Sequence, residues 1–180
     1  MNSNIKILLI ASYIWYFGEG LFGPLYAIFT QQLGGDLLDI TGAFSTYLIV
    51  TGILSILIGR VSDKVSKYKL MMSGYIINTL ATFGYLFVDS TLKLIIVQIA
   101  LGIATALATP TWNALFAANI DKKSVGEEYG LSDGGPRIIF GIAVLCGGFI
   151  VTYYSFTILF IIMGCVQTVS TIAQACILKK

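Results

Sequence analysis

Histidine is absent from this 180-residue sequence, charged residues make up only 11% of it, and cysteine and proline occur three times each. Without histidine, neither a Ser-His-Asp triad nor a His/Cys metal site of the usual kind can be assembled. Cys146, Cys165 and Cys176 all lie in apolar runs, where each reads as a small hydrophobe. A net charge of +2 is too small to mark a nucleic-acid binder. Soluble domains carry about 25% charge. A chain with 57% hydrophobic residues and a mean hydropathy of +0.87 cannot cover a folded surface with polar groups. Its solvent is lipid.

A helix crosses the hydrocarbon core in about 20 apolar residues. Six stretches qualify, near 7–33, 41–59, 69–88, 93–118, 129–153 and 155–178, in one bundle over residues 1–180. The fold class is therefore an all-α integral membrane protein. The first stretch is too long for a cleavable signal peptide and runs through Glu19. Lys6, Arg60, Lys64, Lys67, Lys69, Lys122, Lys123, Lys179 and Lys180 fall on one side of these spans. Only Lys93 falls on the other, beside Asp36, Asp39 and Asp89. The positive-inside rule puts both termini in the cytoplasm of a cell-membrane protein, and the bias requires any dimer to be parallel. Pro24 and Pro110 interrupt the first and fourth spans at nearly the same depth. Matching interruptions in halves of opposite topology mark a 3+3 inverted repeat, with both prolines as helix kinks.

Polar residues at helical spacing show which faces avoid lipid. Ser12, Tyr16, Glu19, Gly23, Tyr26 and Thr30 form one stripe on the first span, and Gln98, Gly102, Thr105, Thr109 and Asn113 another on the fourth. The first stripe reads as the wall of an aqueous path, because it contains Glu19. The second serves equally as path or as interhelical packing. On the second span Thr41, Ser45, Gly52, Ser55, Gly59 and Ser62 make a small-residue face that reads as an interface.

A lone charge at mid-membrane costs at least about 2.5–3.5 kcal/mol, so Glu19 and Arg137 face a bundle interior or a water-filled cavity. Glu19 reads as a protonatable coupling site. Asp133 precedes Arg137 by one helical turn. Two readings stand: a structural pair holding the fifth helix, or a substrate contact by Arg137. Tyr16, Tyr26 and Asn113 complete the candidate solute or proton site. No nucleophile–base constellation, phosphate loop or cofactor motif is present, since Gly18-x-Gly20 and Gly134-Gly135 lie inside apolar spans. The chain reads as a non-enzyme without cofactor or metal.

The loop Gly59-Arg60-Val61-Ser62-Asp63-Lys64-Val65-Ser66-Lys67-Tyr68-Lys69 resembles the signature loop of the major facilitator superfamily. Gly59, Asp63, Lys64 and Lys67 match it, between the second and third spans where the family carries it. Ser66 replaces a family glycine and Tyr68 a basic residue. The run from Gly102 through Pro110 and Asn113 to Tyr129-Gly130-Leu131 is similar to the family's fourth helix, loop and fifth-helix start, with Gly126-Glu127-Glu128 in place of the usual Arg-Gly. Ala143 and Val144 stand where the antiporter motif places Gly-Pro, ahead of Gly147-Gly148.

The resemblance implies one half of a twelve-helix fold and a secondary transporter of a small solute. Protons are a possible second passenger, and a second copy of the chain is the expected partner in a parallel homodimer. The loop aspartate of the family docks at the cytoplasmic start of the eleventh helix, so in a homodimer Asp63 would face the partner copy near Tyr129 and Gly130. A non-transporting assembly or partner-binding subunit, or a piece of a twelve-helix transporter, is the alternative. A pore is weaker, because no acidic or amide filter is evident.

Overall fold

The computed structural model describes residues 2–176; Lys179, Lys180 and the end of the sixth expected span lie outside them. Seven helices account for the described residues, with no strand among them: α1 (Ser3–Phe22), α2 (Leu25–Gln32), α3 (Leu37–Ser62), α4 (Lys67–Gly84), α5 (Thr91–Asn119), α6 (Val125–Tyr153) and α7 (Phe156–Ala175). A 3₁₀ turn, Tyr85–Phe87, extends α4. Six of these elements are long and apolar enough to cross a membrane, all but α2.

Local chemistry sets the ends. The Asn2 side chain accepts from the Asn4 amide at 3.2 Å to start α1, and Asp36 and Asp39 form a reciprocal capping box at α3. Ser66, the departure from the family glycine, is the N-cap of α4. Ser155 caps α7 and so resets the chain across the very short α6–α7 connection. Gly34, at φ +82°, holds the one left-handed conformation among the described residues and turns the chain from α2 toward α3. Asp89 stands in the loop before α5, hydrogen-bonded to Lys93 and held below its usual carboxylate range by it, so the lone basic residue on that side is neutralised.

One expectation changes in detail. The first stretch is not a single helix to residue 33. It breaks at Gly23-Pro24, because proline has no N–H to give and its ring clashes with the preceding turn. Pro110, by contrast, sits inside an uninterrupted α5. The two prolines share a depth but not a consequence.

The six long helices pair selectively: α1 with α6 and α7, α5 with α3 and α4, and α4 with α7. Exchanging the first three long helices for the last three leaves this set of pairings unchanged. Helix α3 is the least covered, with only Ala43 and Ser62 buried, and α6 follows, with Glu128, Pro136, Ala143 and Gly147. Helix α3 meets α5 through Tyr47, Val50 and Thr51. Gly52 and Gly59 of its small-residue face have no neighbour above them among the described residues, whereas Ser62, at the end of that face, is buried.

Two apolar clusters close the ends of the bundle. One gathers Leu21, Phe22, Phe29, Tyr85, Phe156 and Phe160, and the other Ile5, Leu8, Met71, Tyr75, Leu115 and Phe116. Between them runs a polar layer containing Asn78, Gln167, Thr79 and Thr171.

Candidate functional site

A cavity of about 500 Å³ opens between α1, α5 and α6, in the part of the bundle nearest the start of α1 and the α5–α6 loop. Its walls follow from register. Ser12, Trp15 and Tyr16 come from α1, Thr109, Trp112, Asn113 and Phe116 from α5, and Tyr129, Ser132 and Asp133 from α6. Tyr75 reaches in from α4. Three hydrogen bonds hold the walls: Tyr13 Oη donates to the Leu131 carbonyl at 2.8 Å, Trp112 Nε1 to the Leu8 carbonyl at 3.4 Å, and Asn4 Nδ2 to Asn119 Oδ1 at 3.0 Å.

Asp133 and Arg137 are paired. Arg137 Nε lies 3.2 Å from both carboxylate oxygens, and Nη2 donates to Oδ1 at 2.9 Å. The side chains are 72% and 76% exposed, which no lipid-facing surface of a span would tolerate. Arg137 points into an adjoining recess with Tyr16, Pro136 and Phe140. The face bearing both hollows is therefore a wet or partnered face.

Of the residues picked from the sequence, the structure brings Tyr16, Asn113 and Asp133 into one cavity, with Arg137 at its edge. Glu19 turns elsewhere. Its Oε1 accepts from Gln167 Nε2 at 3.4 Å, and the same amide donates to the Trp15 carbonyl at 3.2 Å. Asn78 lies beside this carboxylate, yet neither of its amide atoms completes a hydrogen bond. Tyr26, on α2, stands beyond the break and packs against Phe22 and Phe44. The polar stripe of α1 thus splits: Tyr16 faces the cavity, Glu19 faces α7, and Tyr26 belongs to another helix.

The α5 stripe splits too. Gly102 lets α3 approach, a Cβ there standing 3.1 Å from the Tyr47 carbonyl, and Thr105 Oγ1 meets Tyr47 Oη at 3.3 Å, while Thr109 and Asn113 line the cavity. Sequence reasoning did not single out Gln167, Asn78 or Trp15 as neighbours of the acid. Their spacing on α7, α4 and α1 is that of ordinary buried positions.

In the α3–α4 loop Asp63 is 79% exposed, and its Oδ1 lies 3.8 Å from Lys67 Nζ. Lys67 also donates to the Ser62 carbonyl at 3.1 Å. Glu128 is only 2% exposed. It accepts from the Asp121 amide at 3.2 Å and from Ser124 Oγ at 3.4 Å, and so ties down its own loop.

Six membrane-length helices around an aromatic hollow define a multi-pass helical membrane protein. Sequence comparison gives the family: residues 8–180 match the Major Facilitator Superfamily, and the chain belongs to it. It is 28% identical over 164 residues to the uncharacterized MFS-type transporter MJ1560 of Methanocaldococcus jannaschii, covering 91% of this chain and 42% of that one. It is 27% identical over 133 residues to the proton-coupled antiporter flippase LtaA of Staphylococcus haemolyticus, covering 72% and 33%. The uncharacterized MFS-type transporter YitZ of Bacillus subtilis matches at 21% over 146 residues, covering 81% of this chain and 88% of its own length. The chain thus spans less than half the length of MJ1560 and LtaA. Family and relatives together support a transporter role and a multi-pass membrane location.

Proposed function

We propose that the chain is a secondary transporter of a small solute, working by alternating access as a parallel pair of six-helix bundles. The carrying observation is the face that holds the cavity and the exposed Asp133–Arg137 pair. Helix α6 walls it and α3 packs on its neighbour α5; these are the two least covered of the six long helices. A second copy would supply the missing wall. The exchange symmetry of the helix pairings supports a 3+3 inverted repeat within each bundle. The lysine bias supports cytoplasmic termini, which would make the cavity face inward. Glu19 serves as the proton site, apart from the solute.

Asp63 gates this assembly by docking at the start of the partner's α6. Tyr129 is 49% exposed, and the Gly130 backbone has open space above it. Helix α6 begins at Val125, one turn before Tyr129, and the amide groups and positive dipole end of that first turn favour a carboxylate by about 0.3–1 kcal/mol. Of the two acidic residues beside that position, Glu128 is consumed by its own loop, which leaves Glu127 as the opposing charge.

The test needs no known solute. In a background lacking Cys146, Cys165 and Cys176, Asn113→Cys is expected to react with a membrane-impermeant maleimide from either side of oriented vesicles. Cysteines replacing Asp63 in one copy and Tyr129 in another should cross-link between copies and abolish labelling from the cytoplasmic side alone. Labelling from one side only, in every condition, would identify a static assembly subunit. Unchanged two-sided labelling after cross-linking would identify a pore.

A further inference from the structure

The cavity is built for one sign of charge. Six aromatic side chains line it, namely Trp15, Tyr16, Tyr75, Trp112, Phe116 and Tyr129, with one carboxylate, Asp133, and no lysine or arginine. The rings are held rather than loose. Trp112 stacks on Phe116 with centroids 4.9 Å apart, Phe116 meets Tyr129 edge-on at 5.5 Å, and Trp15 meets Tyr75 at 4.4 Å. Aromatic faces carry negative potential and attract cations within about 6 Å of a ring centroid. An anion entering this space would meet ring faces and a carboxylate, with only the neutral donors Ser12, Thr109, Asn113 and Ser132 in its favour. Neutral solutes would gain packing there, but nothing from the carboxylate.

The cation paired with Asp133, Arg137, does not line the cavity. Arg137 lines the adjoining recess and hydrogen-bonds both oxygens of the same carboxylate. An ion pair this exposed is weak, so an incoming cation can compete for it. Arg137 then neutralises Asp133 when the cavity is empty and gives way when it fills.

We propose that the cavity binds a monovalent organic cation with an aromatic or alkyl body, with Asp133 as its counter-ion and Arg137 as a built-in competitor for that carboxylate. The proposal rests on the reading of this cavity as the solute site. It assigns the two partners of one ion pair opposite effects on binding.

The chain has two tryptophans, Trp15 and Trp112, and both line the cavity, so intrinsic fluorescence reports its occupancy. With the full chain in lipid nanodiscs, benzyltriethylammonium is expected to quench that emission saturably, above the baseline of empty discs, and benzenesulfonate is not. Asp133→Asn should weaken the cation about ten-fold, the scale of one charge-assisted contact. Arg137→Gln should tighten it several-fold. Asp133→Glu keeps the charge and should keep binding, which separates lost charge from lost folding. A purely structural pair would move both single variants in the same direction.

Benzenesulfonate binding as tightly as the ammonium would overturn the proposal. So would parallel shifts in Asp133→Asn and Arg137→Gln, or no saturable binding of the ammonium. The transport reading fails separately: cation binding with one-sided labelling of Asn113→Cys keeps the site and rejects the carrier. Two-sided labelling without cation binding does the reverse.

Discussion

Replacing Glu19 with glutamine is expected to abolish proton-driven accumulation of solute while leaving the cavity able to bind. The acid sits on α1 between Gly18 and Gly20, both buried, and its neighbours are amides: Gln167 donates to it at 3.4 Å and Asn78 lies beside it. No described salt bridge reaches it. A neutral acid can live with these partners. An ionised one removed from water costs several kcal/mol unless it is paired and fully hydrogen-bonded. Gaining or losing a proton at Glu19 must therefore change how α1 sits against α4 and α7. Helix α7, which carries Gln167, does not line the cavity, so coupling would act through the tilt of α1 rather than by contact with solute. Glutamine keeps the size and one acceptor but cannot change charge. In oriented vesicles the balance of inward and outward labelling at Asn113→Cys should shift with pH in the parent and stay fixed in Glu19→Gln. A pH shift of equal size in the variant would remove Glu19 from the coupling role.

Several features were legible because they depend on quantities that a sequence carries directly. Total apolarity is enough to count the spans, since hydrophobic length acts locally, whereas the capping roles of Ser66 and Ser155 emerge only in the structure. The Asp133–Arg137 pair follows from spacing alone, because residues four apart on a helix are neighbours. Direction was harder to read. Helical periodicity shows that Ser12, Tyr16 and Glu19 share a stripe, yet the stripe is wide enough for Tyr16 to meet α6 while Glu19 meets α7. That partition depends on where the other helices sit. The small-residue face of α3 carries the same lesson. Small residues permit close approach, but within this chain α5 packs on the flank bearing Tyr47 and Val50 instead. Glu128 was beyond reach for another reason: a carboxylate in the first turn of a helix normally points to water, and only the fold of the preceding loop supplies the two donors that bury it.

Adjacent glycines on α6 are expected to differ sharply when substituted. A methyl group built on Gly147 would overlap the Leu21 carbonyl of α1, which is backbone and cannot swing aside. Gly20 on the facing surface of α1 is equally tight, its Cβ position lying 2.8 Å from both the Phe140 carbonyl and the Ala143 Cβ. The α1–α6 seam thus relies on two glycines to bring backbones together, as small residues do between helices in lipid. Gly148, the next residue, has open space above it. Nothing in the pair Gly147-Gly148 distinguishes the two until α1 is in place. Overpacking a well-filled interface costs about 1–3 kcal/mol, and here the obstructing atom is main chain. Gly147→Ala should therefore lower the thermal midpoint of the detergent-solubilised protein, and Gly147→Leu should yield no folded bundle by tryptophan fluorescence or size exclusion. Gly148→Ala should unfold with the parent, since a surface substitution away from such contacts usually stays within about 0.5 kcal/mol. The seam also positions Tyr13, Ser132 and Asp133 around the cavity, so Gly147→Ala should weaken cation binding as well, from a position that does not line the cavity. Equal destabilisation by both alanines would show that α1 and α6 do not meet along this seam, and would take the cavity geometry with it.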